Sequence, residues 1–400
     1  MMKCLFVAMA CLLFGASGEP APNSSIDTHV LSQPYAQFGF DVLRELASNK
    51  SDQNIFVSPT NIAVALAMTS NGASGATRQA ILQTLHADGQ PVETFNAANR
   101  ALEEQIAGTT AVQLSMANAL WLQQDIPVNP SFRQTLQAAY SAQAENLDFR
   151  KASAVETINA WVAKHTNDRI PKILDQVDPS TVALLTNAIA FKGKWTMQFD
   201  PKVTQPHDFK MANGTLSKVQ IMQQTAEYGY SNAEGLEAIR LPYADGTFAM
   251  YVVLPKNDTA MQSFLQQLTA DAFTKIVSSL HPQRGTIELP RFTITYDATL
   301  NAILTKLGMG NAFSDHANFE GICKAPPHLR ISEVRHASFL KVDEEGTEAA
   351  AATSVGIRAT AIRIEPPPFH MVVDHPFFLA IRDERNGQII FTGSIGKPIS

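Results

Sequence analysis

The spacing of hydrophobic positions changes along the chain, and the changes mark its elements. Phe38, Val42, Leu43 and Leu46 recur every three or four residues and form one face of a helix. Ser58-Pro59 opens a second helix, because Ser is a favoured N-cap and proline suits the first helical position. Asn71-Gly72 closes it with residues that tolerate left-handed backbone. A third amphipathic run begins at Ile158-Asn159-Ala160-Trp161-Val162 and is expected to end near Ile170-Pro171. Elsewhere the period falls to two. Val112, Leu114 and Met116 alternate as a half-buried strand does. Ala183 to Phe191 is almost continuously apolar, which predicts a strand buried on both faces. Phe248 to Leu254, Val334 to Val342 and Gln388 to Ile395 are further expected strands. On the second of these, His336 shares a face with Val334, Ser338, Leu340 and Val342, so its imidazole should be buried and in need of partners. Helices come early and strands late, which gives an α+β class with mixed β-sheets. Apolar and turn signals alternate without a linker or repeat, so residues 31–400 are read as one domain.

The N-terminus and the composition refine this picture. Lys3, the apolar stretch Cys4 to Phe14 and the small residues Ala16-Ser17-Gly18 have the order of a secretory signal peptide. Residues 1–18 are therefore expected to be removed, and the stretch is too short to span a bilayer. A competing reading would acylate Cys11 after Ala8-Met9-Ala10, leaving only Leu5 to Ala10 as the apolar region. Residues 19–30, polar and Pro-containing, are expected to be disordered. The mature chain is thus expected outside the cell, or in the periplasm of a Gram-negative source. Cys4 and Cys11 leave with the signal, so Cys323 has no partner for an internal disulfide and is read as a small core or loop residue. A chain of 400 residues, 45% hydrophobic, can bury a large core without cross-links. Its net charge of −6 and lack of a Lys/Arg cluster argue against nucleic acid as a partner. Phe95 to Gly108 holds one Arg and two Glu, a poor site for heparin or another polyanion. No other apolar run is long enough for a membrane span. Asn23, Asn49, Asn213 and Asn257 begin Asn-x-Ser/Thr sequons, which matter only in a eukaryotic source.

Motifs for catalysis are missing. Gly-x-Ser-x-Gly, His-Glu-x-x-His and Gly-x-Gly-x-x-Gly do not occur, and His370 and His375 lie five apart with no third ligand in view. An enzyme, a metal site and a cofactor are therefore not expected. The informative stretch follows Val342. Thr347, Ala349, Ala351, Thr353, Val355 and Ile357 carry no charge, whereas Glu348, Ala350, Ala352, Ser354, Gly356 and Arg358 include both charges. A strand with one buried face is written this way. Yet Ala349 to Ala352 favour helix over strand, so an Ala-rich helical turn or a flexible linker fits as well. Pro366-Pro367-Pro368 then stiffen the chain and cannot continue a ladder.

Here the sequence resembles the serpin family. The hinge Glu344-Glu345-Gly346-Thr347-Glu348-Ala349-Ala350, continued by Ala351 and Ala352, is similar to that of inhibitory members. Asn54-Ile55-Phe56-Val57-Ser58-Pro59, Gly72-Ala73-Ser74-Gly75-Ala76-Thr77, Thr186 to Trp195, Asp374-His375-Pro376-Phe377-Phe378 and Gly393 extend the resemblance over nearly the whole mature chain. It implies a single domain with an exposed reactive-centre loop that a protease attacks. The loop would then insert into the main sheet and trap the protease as a covalent acyl-enzyme. The implied target is a serine protease, or a cysteine protease, met by a monomer. Family spacing from the hinge glycine implies cleavage between Thr360 and Ala361, which suits an elastase-like pocket. Because the stretch from that bond to Pro376 is longer than usual in the family, Arg358, Ala359 and Arg363 stay open as reactive residues, the arginines for a trypsin-like target. The resemblance also implies a shutter at Ser58, Asn187 and His336, and a breach residue at Trp195, where the sheet opens. A non-inhibitory carrier or chaperone is the competing reading; the uncharged Thr347, Ala349 and Ala351 speak for inhibition.

Overall fold

The computed structural model describes residues 27–48, 53–256, 260–324, 329–346 and 367–398. Among them the helices are α1 (His29–Ala47), α2 (Pro59–Ser70), α3 (Gly75–Thr84), α4 (Val92–Ala107), α5 (Pro130–Tyr140), α6 (Ser153–His165), α7 (Ala260–Gln267), α8 (Ala270–Ser278) and α9 (Asn301–Lys306). The strands are β1 (Ile55–Val57), β2 (Val112–Gln123), β3 (Gln143–Leu147), β4 (Ala183–Gly193), β5 (Gln205–Lys210), β6 (Leu216–Ala233), β7 (Leu236–Tyr243), β8 (Phe248–Pro255), β9 (His281–Pro290), β10 (Phe292–Thr299), β11 (Glu333–Val342), β12 (Phe369–Val372), β13 (Phe377–Asp383) and β14 (Ile389–Ile395).

Two sheets organise these elements. The larger has the order β1-β14-β13-β8-β7-β6-β9-β12, with β5 paired to β6. The smaller has the order β10-β11-β4-β2-β3. Within it β11 and β4 are parallel, with Glu333 opposite Leu184 through Leu340 opposite Phe191, while β2 and β10 pair antiparallel to them. This is the expected α+β class with mixed sheets, although α7, α8 and α9 return among the strands instead of preceding them.

Sequence explains how the layers stack. Helix α2 is buried on every side because it packs against β2 and β4 of one sheet and β14 of the other. Its start follows the expected chemistry: Ser58 is extended, and its Oγ accepts from the Asn61 amide at 3.1 Å. Asn71 closes it. Helix α1 buries Phe38, Val42, Leu43 and Leu46, as their spacing required. It starts earlier than expected. The Asp27 carboxylate accepts from the His29 amide at 2.9 Å, so residues 29–30 form its first turn instead of belonging to a disordered segment. Strand β4 is buried on both faces. Helix α2 covers one, and Ile158 and Val162 of α6 cover the other, over Leu184 and Ala188. Helix α6 differs from its predicted span: it begins at Ser153 and stops at His165. Asn167 and Asp168 stand at φ 50° and 58°, left-handed values that a helix cannot contain, so the apolar residues Ile170, Ile173 and Leu174 belong to a following connection. Cys323 is buried, and among the described residues no helix is long and apolar enough to cross a membrane.

Candidate functional site

Two neighbouring pairs of the smaller sheet are parallel, β2 with β3 at its edge and β4 with β11 in its interior, and the second forms a seam. Parallel pairing is slightly weaker per residue than antiparallel pairing. Moreover, any strand that turned back from the end of β11 would run antiparallel to both β11 and β4. The seam can therefore accept such a strand with every ladder bond it needs on either side.

A polar cluster holds the seam from its inner face. His336 of β11 lies opposite Asn187 of β4, and its Nδ1 is 2.5 Å from Asn187 Oδ1. The Ser58 amide donates to His336 Nε2 at 3.2 Å. Nε2 is thus an acceptor, which places the ring proton on Nδ1, pointing to Asn187. Burial pushes the imidazole down to about 3, because a charged ring here would lose its water. Asn187 Nδ2 donates to Asn61 O at 2.7 Å and to Asn118 Oδ1 at 2.5 Å. Asn61 completes the circuit: its Nδ2 donates to Ala188 O at 3.0 Å, and its Oδ1 accepts from Asn118 Nδ2 at 2.8 Å. Ser58 Oγ, already bonded to the Asn61 amide, donates to Ile390 O at 2.6 Å. The three residues singled out in the sequence are therefore brought together, and all are buried. The cluster joins α2, β2, β4, β11 and β14, so parting the seam breaks a fully satisfied buried network.

At the end of the seam the chain leaves β11 through Asp343, Glu344, Glu345 and Gly346. Trp195, in the segment after β4, receives it. Its indole Nε1 donates to Asp343 O at 2.8 Å, its amide to Glu345 O at 3.3 Å, and its ring stacks on Tyr243 with centroids 4.3 Å apart. The Phe199 amide donates to Glu344 O at 2.9 Å. Glu344 is itself buried. Its Oε1 accepts from Thr204 Oγ1 at 2.8 Å and lies 3.5 Å from Arg291 Nη1. Gly346 has φ 80°, and a Cβ there would stand 2.3 Å from Trp195 N. Only glycine fits this approach. Trp195, Glu344 and Gly346 thus meet at one end of the seam. Thr347, Glu348, Ala349, Ala350, Ala351, Ala352, Arg358, Ala359, Thr360, Ala361 and Arg363 lie outside the described residues.

Comparison with known proteins bears on this arrangement. A family model described as Serpin (serine protease inhibitor) matches residues 33–398. The chain belongs to the serpin family. Serpin-Z2A of Triticum aestivum is 31% identical over 399 residues, which is 95% of this chain and 99% of its own. Neuroserpin of Gallus gallus is 30% identical over 389 residues, 94% of each chain. The crystal structure of tengpin, a thermophilic serpin in the native state, aligns with TM-score 0.83 and 29% identity over 91% of this chain and 93% of that one. Native protease nexin-1, crystallised with heparin, aligns with TM-score 0.83 and 26% identity over 93% and 100%. Serpins are in general protease inhibitors, not enzymes.

Sequence reasoning missed two members of this serpin's inner cluster, Asn61 and Asn118. Signals for both were present. Asn61 stands three residues after the N-cap Ser58, within reach of its hydroxyl. Asn118 continues the alternation Val112, Leu114, Met116 as a polar residue on an otherwise apolar face.

Proposed function

We propose that this serpin is a secreted suicide inhibitor of serine or cysteine proteases, acting as a monomer without a cofactor. The protease cleaves the loop after β11, and the N-terminal part of the loop enters the seam between β4 and β11 before the acyl-enzyme is hydrolysed. The parallel seam, with the chain leaving β11 at its open end, is the observation that carries this reading. The 14 residues from Thr347 to Thr360 would extend roughly 45 Å at about 3.3 Å each, more than the 11-residue length of β4. Their uncharged alternate residues would enter without stranding a charge. Ser58, Asn187 and His336 would act as the shutter that parts, and Trp195 would stand at the breach where Thr347 enters. The reactive bond would be Thr360–Ala361, with an elastase-like target. Secretion rests on the signal-like order of residues 1–18.

Incubation of the mature chain with elastase-like and trypsin-like proteases tests this. An SDS-resistant adduct is expected, with a released peptide beginning at Ala361. A peptide beginning at Ala359 or Ile364 would move the bond to Arg358 or Arg363. Cleavage without an adduct in every case would overturn the inhibitory reading and favour the carrier or chaperone role.

A further inference from the structure

The chain passes from β12 to β13 through Val373, Asp374, His375 and Pro376, and two strands of the larger sheet hold that passage. The Val373 amide donates to Glu288 O of β9 at 2.9 Å, and Asp374 O accepts from the Lys210 amide of β5 at 2.8 Å. His375 then reaches the end of β8. Its Nε2 is 2.7 Å from Pro255 O, and its Nδ1 is 2.7 Å from Asp374 Oδ1. The His375 side chain is 16% exposed, so water competes little for either bond.

Both of these neighbours of the ring are acceptors. A backbone carbonyl only accepts. The Asp374 carboxyl would donate only if protonated, and its hydrogen bond with His375 holds it below the usual carboxylate range. At neutral pH it therefore accepts as well. A neutral imidazole has one N–H and one lone pair, so either tautomer would set a nitrogen lone pair against an oxygen. The imidazolium, with an N–H on each nitrogen, satisfies both contacts.

Neighbouring elements bring the other charges. On β5 these are His207, which also acts on Asp374, with Asp208 and Lys210. Lys218 of β6 pairs with Asp208 at 3.0 Å, Lys256 follows β8, and Glu288 of β9 pairs with His370 of β12 at 2.8 Å. Among the described residues, Asp374 is the charged group hydrogen-bonded to the His375 ring.

We propose that His375 carries a proton on both ring nitrogens at neutral pH, and that this charge braces the connection between β12 and β13 against the end of β8. Loss of the proton leaves one sheltered bond unmade and loosens the brace. Strand β12 is the first after the segment that follows Gly346, so the brace fixes the root at which that segment rejoins the sheet. The sign of its pH dependence is the reverse of that of a histidine buried neutral. The folded chain holds a proton that the unfolded one gives up, so the contribution is complete in acid and is lost as pH rises through the titration of the folded ring. Under the inhibitory reading this root must stay fixed while the other end of the segment enters the seam. The charge on His375 does not depend on that reading.

The test uses the full mature chain with 15N-labelled histidine. At pH 7.5 an ordinary imidazole, titrating at about 6.5, is mostly neutral. The ring signals of His375, identified by their loss in His375→Gln, should be those of an imidazolium. In Asp374→Asn, a change at a half-exposed side chain, they should become those of a neutral ring, because the anion that holds the second proton is gone. Hydrogen exchange of residues 369–376, read by mass spectrometry, decides the matter if His375→Gln fails to fold. After correction for the intrinsic effect of pH, wild-type exchange should be about tenfold faster at pH 9.0 than at pH 7.5, the loss of one charge-assisted hydrogen bond. Asp374→Asn should exchange fast at both values. Neutral-ring signals in the wild type at pH 7.5, no step in its exchange, or the same step in Asp374→Asn would each overturn the brace. Protease adducts are scored separately at pH 7.5. An imidazolium and an exchange step without an adduct would keep the brace and remove the inhibitory reading, and an adduct with a neutral ring would do the reverse.

Discussion

Protonation of His336 is the most direct probe of the inner cluster. Its Nε2 accepts from the Ser58 amide, so an added proton would meet a donor instead of a lone pair. In the unfolded chain the ring titrates at about 6.5, and in the folded chain burial holds it down to about 3. Between these values the unfolded state binds the extra proton, so stability falls as pH falls through the window. Above pH 6.5 both states are neutral and the ring makes no pH-dependent contribution. At pH 5.0 the unfolded ring is mostly charged and the folded ring is not, which costs about 2 kcal/mol relative to pH 7.5. The perturbation is His336→Gln, which cannot titrate. Urea unfolding of wild type and variant at pH 7.5 and 5.0 gives four free energies. Other titrating groups are common to both proteins and largely cancel. Wild type should lose about 2 kcal/mol more than His336→Gln on acidification. Equal losses would refute the neutral, fully bonded imidazole and the inner cluster built on it.

Thr347→Arg should convert the inhibitor into a substrate, because insertion would then bury an unpaired charge; an unchanged stoichiometry of inhibition would contradict loop insertion. Gly346→Ala should cost about 1–3 kcal/mol, since the strain of φ 80° is joined by a clash with Trp195; denaturant unfolding at wild-type values would contradict the tight approach of Gly346 to Trp195. Glu103 is a third case. Burial raises its carboxyl to about 7, and among the described residues its Oε1 has no hydrogen-bond partner. The folded carboxyl keeps a proton that the unfolded one releases near pH 4.5, so wild-type stability falls as pH rises between those values. Glu103→Gln should therefore gain about 3 kcal/mol over wild type at pH 8 and little at pH 4, and a gain independent of pH would refute the raised carboxyl.

Elements with strong local signals were legible in the sequence. Ser58-Pro59 and Asn71-Gly72 mark the ends of α2 because caps act through neighbouring residues. Ala183 to Phe191 reads as a strand buried on both faces because two layers, α2 and α6, cover β4. The end of α6 was misplaced because Ile170, Ile173 and Leu174 are apolar for a different reason. They line the crossing connection over the sheet, while Asn167 and Asp168 end the helix by backbone conformation. His336 could be recognised as buried from its strand face, and its resemblance to a family position supplied Asn187 and Ser58. Asn61 and Asn118 carried local signals of polar positions on buried faces, but their partnership depends on which helix and strands meet in space. A side chain that bonds a distant backbone leaves no periodic trace.

Under the proposed mechanism the intact fold holds its seam short of one strand, and cleavage supplies it. Thermal melting of the intact chain and of the chain cleaved in the segment after Gly346 measures this directly. A far higher melting temperature is expected for the cleaved form, because its loop would then occupy the seam as an antiparallel strand between β4 and β11. Equal melting temperatures would show that nothing enters the seam and would contradict the mechanism.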